Sequence, residues 1–326
     1  MMIWGKAVPK EVTITLPRGE TPVFPVVDAV AGEGFAETGI VKDAGDDPDV
    51  THGALVKVRV APSAGGVRFV AGEGVGLITK PGLPVPVGEP AINPVPRDMM
   101  TAVVREMAKR FRQKPDIEIT VSIPGGEIIA QKTWNPRLGI AGGLSILGTT
   151  GVVRPFSCSA WIASIHRGID VAVAADETHV AGCTGATSER VVQERFNLPD
   201  HAMLDMGDFA GGLLKYLRKH PLPRLTIGGG IGKICKLAQG AVDLHSDRSQ
   251  VDFEALNDVA QSLGLPDVSR SNTALEAAEI AGNALAAALA EQAQARVREL
   301  LAGTDILVGI VIIDRAGNVL AEVTAR

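Results

Sequence analysis

Apolar and polar positions alternate through residues 11–16 (Glu-Val-Thr-Ile-Thr-Leu), which predicts a strand that Pro17-Arg18-Gly19 then turns. Residues 21–27 predict a second strand, broken by proline and therefore at a sheet edge. Residues 54–61 alternate again, and 117–123 form a clean alternating strand stopped by Pro124-Gly125-Gly126. The glycines and prolines of 65–96 predict the loop-richest part of the chain. Asp98 stands where it can cap a helix whose apolar residues Met99, Val103, Met107 and Phe111 recur every four positions. Strands and one helix without strict alternation predict an α+β domain.

Near residue 155 the rhythm changes. Residues 170–175, 202–206 and 225–227 predict short apolar strands, followed by helical patterns at 188–196, 209–220 and 233–239. Repeated strand–loop–helix units predict a parallel sheet with helices on its faces. Thr273 and Glu276 form a capping box for one long alanine-rich helix, and the apolar run 306–313 predicts a strand of the same sheet. The expected architecture is an α+β domain over 1–153, followed over 154–326 by an α/β, Rossmann-like domain with a mainly parallel sheet.

Composition narrows the function. Hydrophobic residues make up 46% and charged residues 21% of 326, which is globular usage and suits two domains. Aromatics at 4% and a net charge of -5 argue against a nucleic-acid partner. The three cysteines, Cys158, Cys183 and Cys235, lie far apart, which excludes a disulfide framework or a cysteine-built zinc site and suits a reducing cytoplasm. The apolar windows are too short or too glycine-broken to span a bilayer, and the first residues carry no cleavage signature, so a cytoplasmic protein without a membrane partner is expected.

Four segments carry candidate chemistry. Lys42 to Gly53 crowds Asp43, Asp46, Asp47 and Asp49 into one loop between strands. Their spacing misses that of a calcium loop. Crowded carboxylates can instead poise one member, Asp46 or Asp47, as a proton acceptor, while a solvated turn is the plainer reading. Gly228-Gly229-Gly230-Ile231-Gly232-Lys233 follows a strand and opens a helix, a context in which backbone N–H groups approach a ligand. Ile227 and Ile234 break a Walker loop there, and Lys233 breaks GxGxxG.

The stretch 139–151, rich in glycine and ending in Thr149, Thr150 and Gly151, can wall a large flat ligand or allow close packing. Basic residues recur beside these loops: Lys42, Lys80, Arg97, Lys132, Arg137, Arg154 and Lys233. Together, in an acidic protein, they suit a polyanionic small molecule. His245 has no second histidine at ligand spacing, so no metal site is expected.

The segments 41–53, 72–76 (Gly-Glu-Gly-Val-Gly), 91–97 (Ala-Ile-Asn-Pro-Val-Pro-Arg) and 138–151, in that order, resemble the CbiD family of cobalt-precorrin-5B C1-methyltransferases. Gly230-Ile231-Gly232-Lys233 and His245-Ser246 are similar to that family's second half. The resemblance implies S-adenosylmethionine as methyl donor and a cobalt-bearing, carboxylate-rich tetrapyrrole as acceptor, with cobalt present only within the substrate. Members of the family usually begin with an arginine-glycine-threonine-threonine-glycine segment, and this sequence starts at the strand after it.

On this reading Gly228, Gly229, Gly230, Gly232 and Lys233 bind the donor. Lys42, Arg97, Arg137, Thr149 and Thr150 face the substrate, and Asp46 and Asp47 serve the reaction. A dinucleotide-dependent oxidoreductase and a non-catalytic corrinoid-binding protein are the alternatives, and homo-oligomerisation stays open.

Overall fold

The computed structural model describes residues 2–148, 150–153 and 157–324. It is a mixed α/β structure of two compact units, Met1–Ser157 and Cys158–Arg326.

In the first unit β1 (Glu11–Thr13) and β2 (Val23–Pro25) pair as an antiparallel ribbon. A five-stranded sheet is built from β3 (Val27–Gly32), β4 (Phe35–Val41), β5 (Leu55–Pro62), β6 (Val67–Ala71) and a strand later in the chain. There follow β7 (Leu77–Ile78), α1 (Pro94–Phe111), β8 (Ile117–Ser122), α2 (Gly126–Ala130) and β9 (Ile140–Ala141). The order is β3-β4-β5-β8-β6, antiparallel except for the parallel β6–β8 pair. Alternation explains β8: Ile117, Ile119 and Val121 enter the core with Ile92 and Leu144, while Glu118, Thr120 and Ser122 turn to the half-exposed face.

Two expectations change here. The stretch 65–96, read as loop, contains β6, whose pairing to β8 is made across about fifty residues of chain. Asp98 lies inside α1, not at its cap; the helix starts at Pro94, whose fixed φ and missing N–H suit a first turn, after Asn93.

The second unit runs α3 (Cys158–Ala174), β10 (His179–Cys183), α4 (Ala186–Phe196), β11 (Met203–Leu204), α5 (Ala210–Leu217), β12 (Arg224–Gly230) and α6 (Ile231–Ala238). It continues through α7 (Phe253–Ser262), α8 (Ala274–Ala281), α9 (Asn283–Leu300), β13 (Leu307–Ile313) and β14 (Val319–Val323). The sheet order is β11-β10-β12-β13-β14, with β10 parallel to β11 and β12, β12 parallel to β13, and β14 antiparallel at the edge. A Cβ at Gly228 would meet Val192 of α4, and one at Gly229 would meet Ile234 of α6. Successive strand residues point to opposite faces, so α4 and α6 cover opposite faces of the sheet.

Of residues 170–175, expected as a strand, 170–174 belong to the last turns of α3. Ile162, Ile165, Ile169 and Ala172 lie at helical spacing, and the last three of them are fully buried, so the longer helical period overrides the short apolar run. The long alanine-rich helix is two helices, because Gly282 at φ 75° ends α8 before α9 begins. Thr273 caps α8 as expected, its hydroxyl accepting from the Glu276 N–H at 3.1 Å. Among the described residues no helix is long and apolar enough to cross a membrane.

Candidate functional site

The second unit reverses its strand order between β10 and β12. From β10 the chain passes through α4 to β11 on one side; from β12 it passes through α6–α9 to β13 on the other. Such a switch point leaves a crevice at the carboxyl ends of the two strands, the usual ligand position in open α/β sheets. The Thr184 N–H donates to the Gly228 carbonyl at 2.9 Å, which holds the turn after β10 against the glycine turn after β12.

The four glycines of that turn divide into two pairs. An added Cβ at Gly228 would lie 2.6 Å from Val192 Cγ2 and 3.0 Å from Cys183 Sγ; one at Gly229 would lie 2.8 Å from Thr184 Oγ1. Those two positions are glycine because the protein itself fills the space. At Gly230 and Gly232 a Cβ meets nothing within 4 Å, and Gly230 has an ordinary extended backbone (φ −64°, ψ 148°). No packing or conformational demand requires glycine there, and the space outside them is open at the start of α6. Gly185, opposite on the β10 turn, is equally open.

Lys233 has its ammonium held by Asp208 Oδ1 at 2.6 Å and the Leu244 carbonyl at 2.9 Å. Lys236, buried, donates to the same carbonyl at 3.0 Å, and burial followed by the charge of Lys233 lowers its pKa. These lysines therefore tie α6 to the 242–249 segment, where Asp243 pairs with Arg248. Burial pushes the Cys183 thiol beside Gly228 up to about 12, so it is no nucleophile at neutral pH.

In the first unit the aspartate loop joins β4 to β5, and Lys42 and Gly53 continue their ladder. Lys42 Nζ contacts Asp49 Oδ2 at 2.5 Å and also the Thr51 hydroxyl. Asp49 accepts in addition from the Thr51 N–H at 2.8 Å and its hydroxyl at 2.6 Å. Burial alone would raise the Asp49 carboxyl, but Lys42 and the Thr51 donors outweigh it and hold it below the usual carboxylate range. Asp43 takes the Gly45 N–H at 2.8 Å. Asp46 is exposed and Asp47 half-buried, so the two candidates do not share one environment.

Arg97, in the first turns of α1, donates to the Ile92 carbonyl at 2.8 Å, the Pro90 carbonyl at 2.9 Å and Glu89 at 3.1 Å, over the Phe69 ring. It folds the 89–93 segment back on the helix, and that segment bonds Ile146 through Ala91 and Asn93. Arg97 and the 139–151 stretch are thereby brought together, and Gly148 lies beside Pro96. Arg137 stacks its guanidinium 4.5 Å from the Trp134 ring centre. The Thr150 hydroxyl is 3.0 Å from the Val152 carbonyl; Thr149 and Arg154 lie outside the described residues.

Gly143 and its neighbour Gly74 have a packing reason. A Cβ at Gly143 would stand 2.3 Å from the Gly74 carbonyl oxygen, and one at Gly74 would stand 2.0 Å from that of Ile123. Close backbone approach between 72–76 and 139–144 is what these glycines permit.

Sequence reasoning missed Thr184, Gly185 and Asp208. The first two follow β10, which the reading had placed inside what is α3, and nothing local pairs Asp208 with a lysine twenty-five residues later.

A strand-order switch beside open glycines is where open α/β sheets commonly take small ligands, and comparison identifies the family. Residues 1–155 match the family model described as CbiD, and residues 243–324 match the CbiD C-terminal domain. The cobalt-precorrin-5B C(1)-methyltransferases of Brucella anthropi and Brucella canis are each 56% identical over 325 residues, spanning 97% of this chain and 88% of theirs. The chain belongs to the CbiD family. A crystal structure of the cobalamin biosynthesis protein cbiD from Archaeoglobus fulgidus aligns at 24% identity over 76% of this chain and 77% of that one, with a TM-score of 0.39.

Proposed function

We propose that this chain transfers a methyl group from S-adenosylmethionine to C-1 of cobalt-precorrin-5B, giving cobalt-precorrin-6A in anaerobic cobalamin biosynthesis. The observation that carries the proposal is the 56% identity, sustained over 97% of the chain, to proteins named for that reaction. The first unit serves as an α+β domain over 1–153 and the second as an α/β, Rossmann-like domain over 154–326.

The residues fit a donor in the second unit. Gly230 and Gly232 leave room that a side chain would fill, at a helix start where backbone N–H groups are available. When bound, S-adenosylmethionine supplies an electrophilic methyl group. Gly228 and Gly229 shape the turn from beneath, and Lys233, anchored by Asp208, fixes the helix start. Methyl transfer is an in-line displacement whose main demand is alignment, so a rigid turn serves it without a covalent nucleophile.

Lys42, Arg97, Arg137, Thr149 and Thr150 are assigned to substrate recognition. Arg137 stacks on the Trp134 ring, and Arg97, already held by two carbonyls and Glu89, would meet a substrate carboxylate through its remaining N–H groups. Asp46 and Asp47 are assigned to the reaction, accepting a proton or steadying positive charge on the macrocycle. The test is incubation of the purified chain with labelled donor and cobalt-precorrin-5B. Label recovered in the tetrapyrrole supports the proposal; tetrapyrrole binding without label transfer would leave a corrinoid-binding protein instead.

A further inference from the structure

At the other end of the second sheet, the amino ends of β10, β12 and β13 border a shallow, open cavity of about 510 Å³. Its volume lies within the range of small-molecule sites, and it is separated from the glycine turn by the length of β12. The first residue of β12, Arg224, is exposed on its wall and forms no ion pair among the described residues. The cavity's carboxylate, Glu177, is engaged by His201 at 2.6 Å.

Apolar surface stands beside that guanidinium. Leu307, which opens β13, is 41% exposed, and the ring of Phe196 lines the cavity with its neighbour His179 at 5.1 Å between ring centres. His179 is tied to the Thr226 hydroxyl at 2.8 Å. Burial, and then the charge of Arg224, lowers its pKa to about 4, so the imidazole is uncharged at neutral pH. The wall thus offers one cation without a partner carboxylate, a neutral ring pair and an exposed aliphatic side chain. A guanidinium in such surroundings recognises a carboxylate through paired N–H donors while the rings and Leu307 cover an apolar body.

We propose that this cavity is a second ligand site, at the opposite end of β12 from the glycine turn, for a small monoanionic carboxylate with a flat apolar body. Arg224 binds the carboxylate, and Phe196 and Leu307 cover the body.

The probe is benzoate, titrated into the whole chain labelled at histidine, with the His179 ring resonance assigned from a His179→Gln spectrum. A saturable shift of that resonance is expected at millimolar benzoate. Benzyl alcohol, the neutral analogue, should bind at least tenfold more weakly, and Arg224→Gln should weaken benzoate at least tenfold without lowering the melting temperature. Phe196→Leu, which keeps Arg224, should also weaken benzoate. An unmoved His179 resonance, equal affinity for benzyl alcohol, or unchanged benzoate affinity in Arg224→Gln would overturn the proposal. Shifts confined to other histidines would overturn it as well.

Discussion

Replacing Gly228 by alanine should cost much stability and replacing Gly230 little, although the two glycines are two residues apart in one turn. At Gly228 the new Cβ would sit 2.6 Å from Val192 Cγ2 and 3.0 Å from Cys183 Sγ. Val192 is fully buried and β-branched, so it has no flexible end to swing away. Overpacking of this kind costs about 1–3 kcal/mol. For a unit of this size each kcal/mol lowers the melting temperature by about 2–4 °C, so Gly228→Ala should melt several degrees lower. At Gly230 the Cβ meets nothing within 4 Å and the backbone is one that alanine adopts freely. Gly230→Ala then gains about 0.4–1 kcal/mol from a less flexible unfolded chain, offset by a similar cost of alanine at the N-cap of α6, and should melt close to the parent.

The bulkier Gly230→Val keeps the fold and occupies the proposed donor space, so calorimetric affinity for S-adenosylhomocysteine should fall at least tenfold. If Gly230→Ala melts as low as Gly228→Ala, the division of the turn into packed and open glycines is wrong. If Gly230→Val binds S-adenosylhomocysteine like the parent, the donor does not sit at this turn.

Gly143→Ala should destabilise the first unit by about 3 kcal/mol, because its Cβ would stand 2.3 Å from backbone oxygen that cannot rotate away; an unchanged melting curve would contradict the close approach to Gly74. Asp46→Asn and Asp47→Asn should differ, one lowering turnover with both ligands still bound and the other nearly silent, and calcium or a chelator should change neither rate nor stability. Parental turnover in both variants, or a calcium-raised melting temperature, removes the loop from the reaction. His179 makes stability depend on pH. Its folded pKa of about 4 lies below the ordinary 6.5, so the unfolded chain binds the extra proton; the contribution is whole above pH 6.5 and falls as pH drops toward 4. Allowing for solvent screening, the parent should lose about 1 kcal/mol more than His179→Gln between pH 7 and pH 5 in urea melts; equal losses would refute it.

Local periodicity made much of the fold legible in the sequence. Alternation over 117–123 marks β8 because a strand sends every second side chain to the core, and that demand is written one residue at a time. The strand–glycine–helix run at 224–238 was readable for the same reason, as was the Thr273 cap of α8. Ordered motifs across both units carried the family resemblance, since each motif reports a local turn that the fold needs.

Tertiary structure decided what depends on distant partners. Residues 170–175 read as a short apolar strand, yet the buried row Ile165, Ile169 and Ala172 makes 170–174 helix. The strand β6 exists because β8 is beside it. The glycines at 228 and 230 are identical as letters; only the nearness of Val192 to one and of nothing to the other separates packing from open space. Likewise Lys42 and Arg97 read as unattached cations, and folding gives them Asp49, Glu89 and two carbonyls. A sequence records each residue's own preference for burial and backbone shape, whereas a site is made of residues that preference alone never brings together; chain closure does that, over separations no local pattern spans.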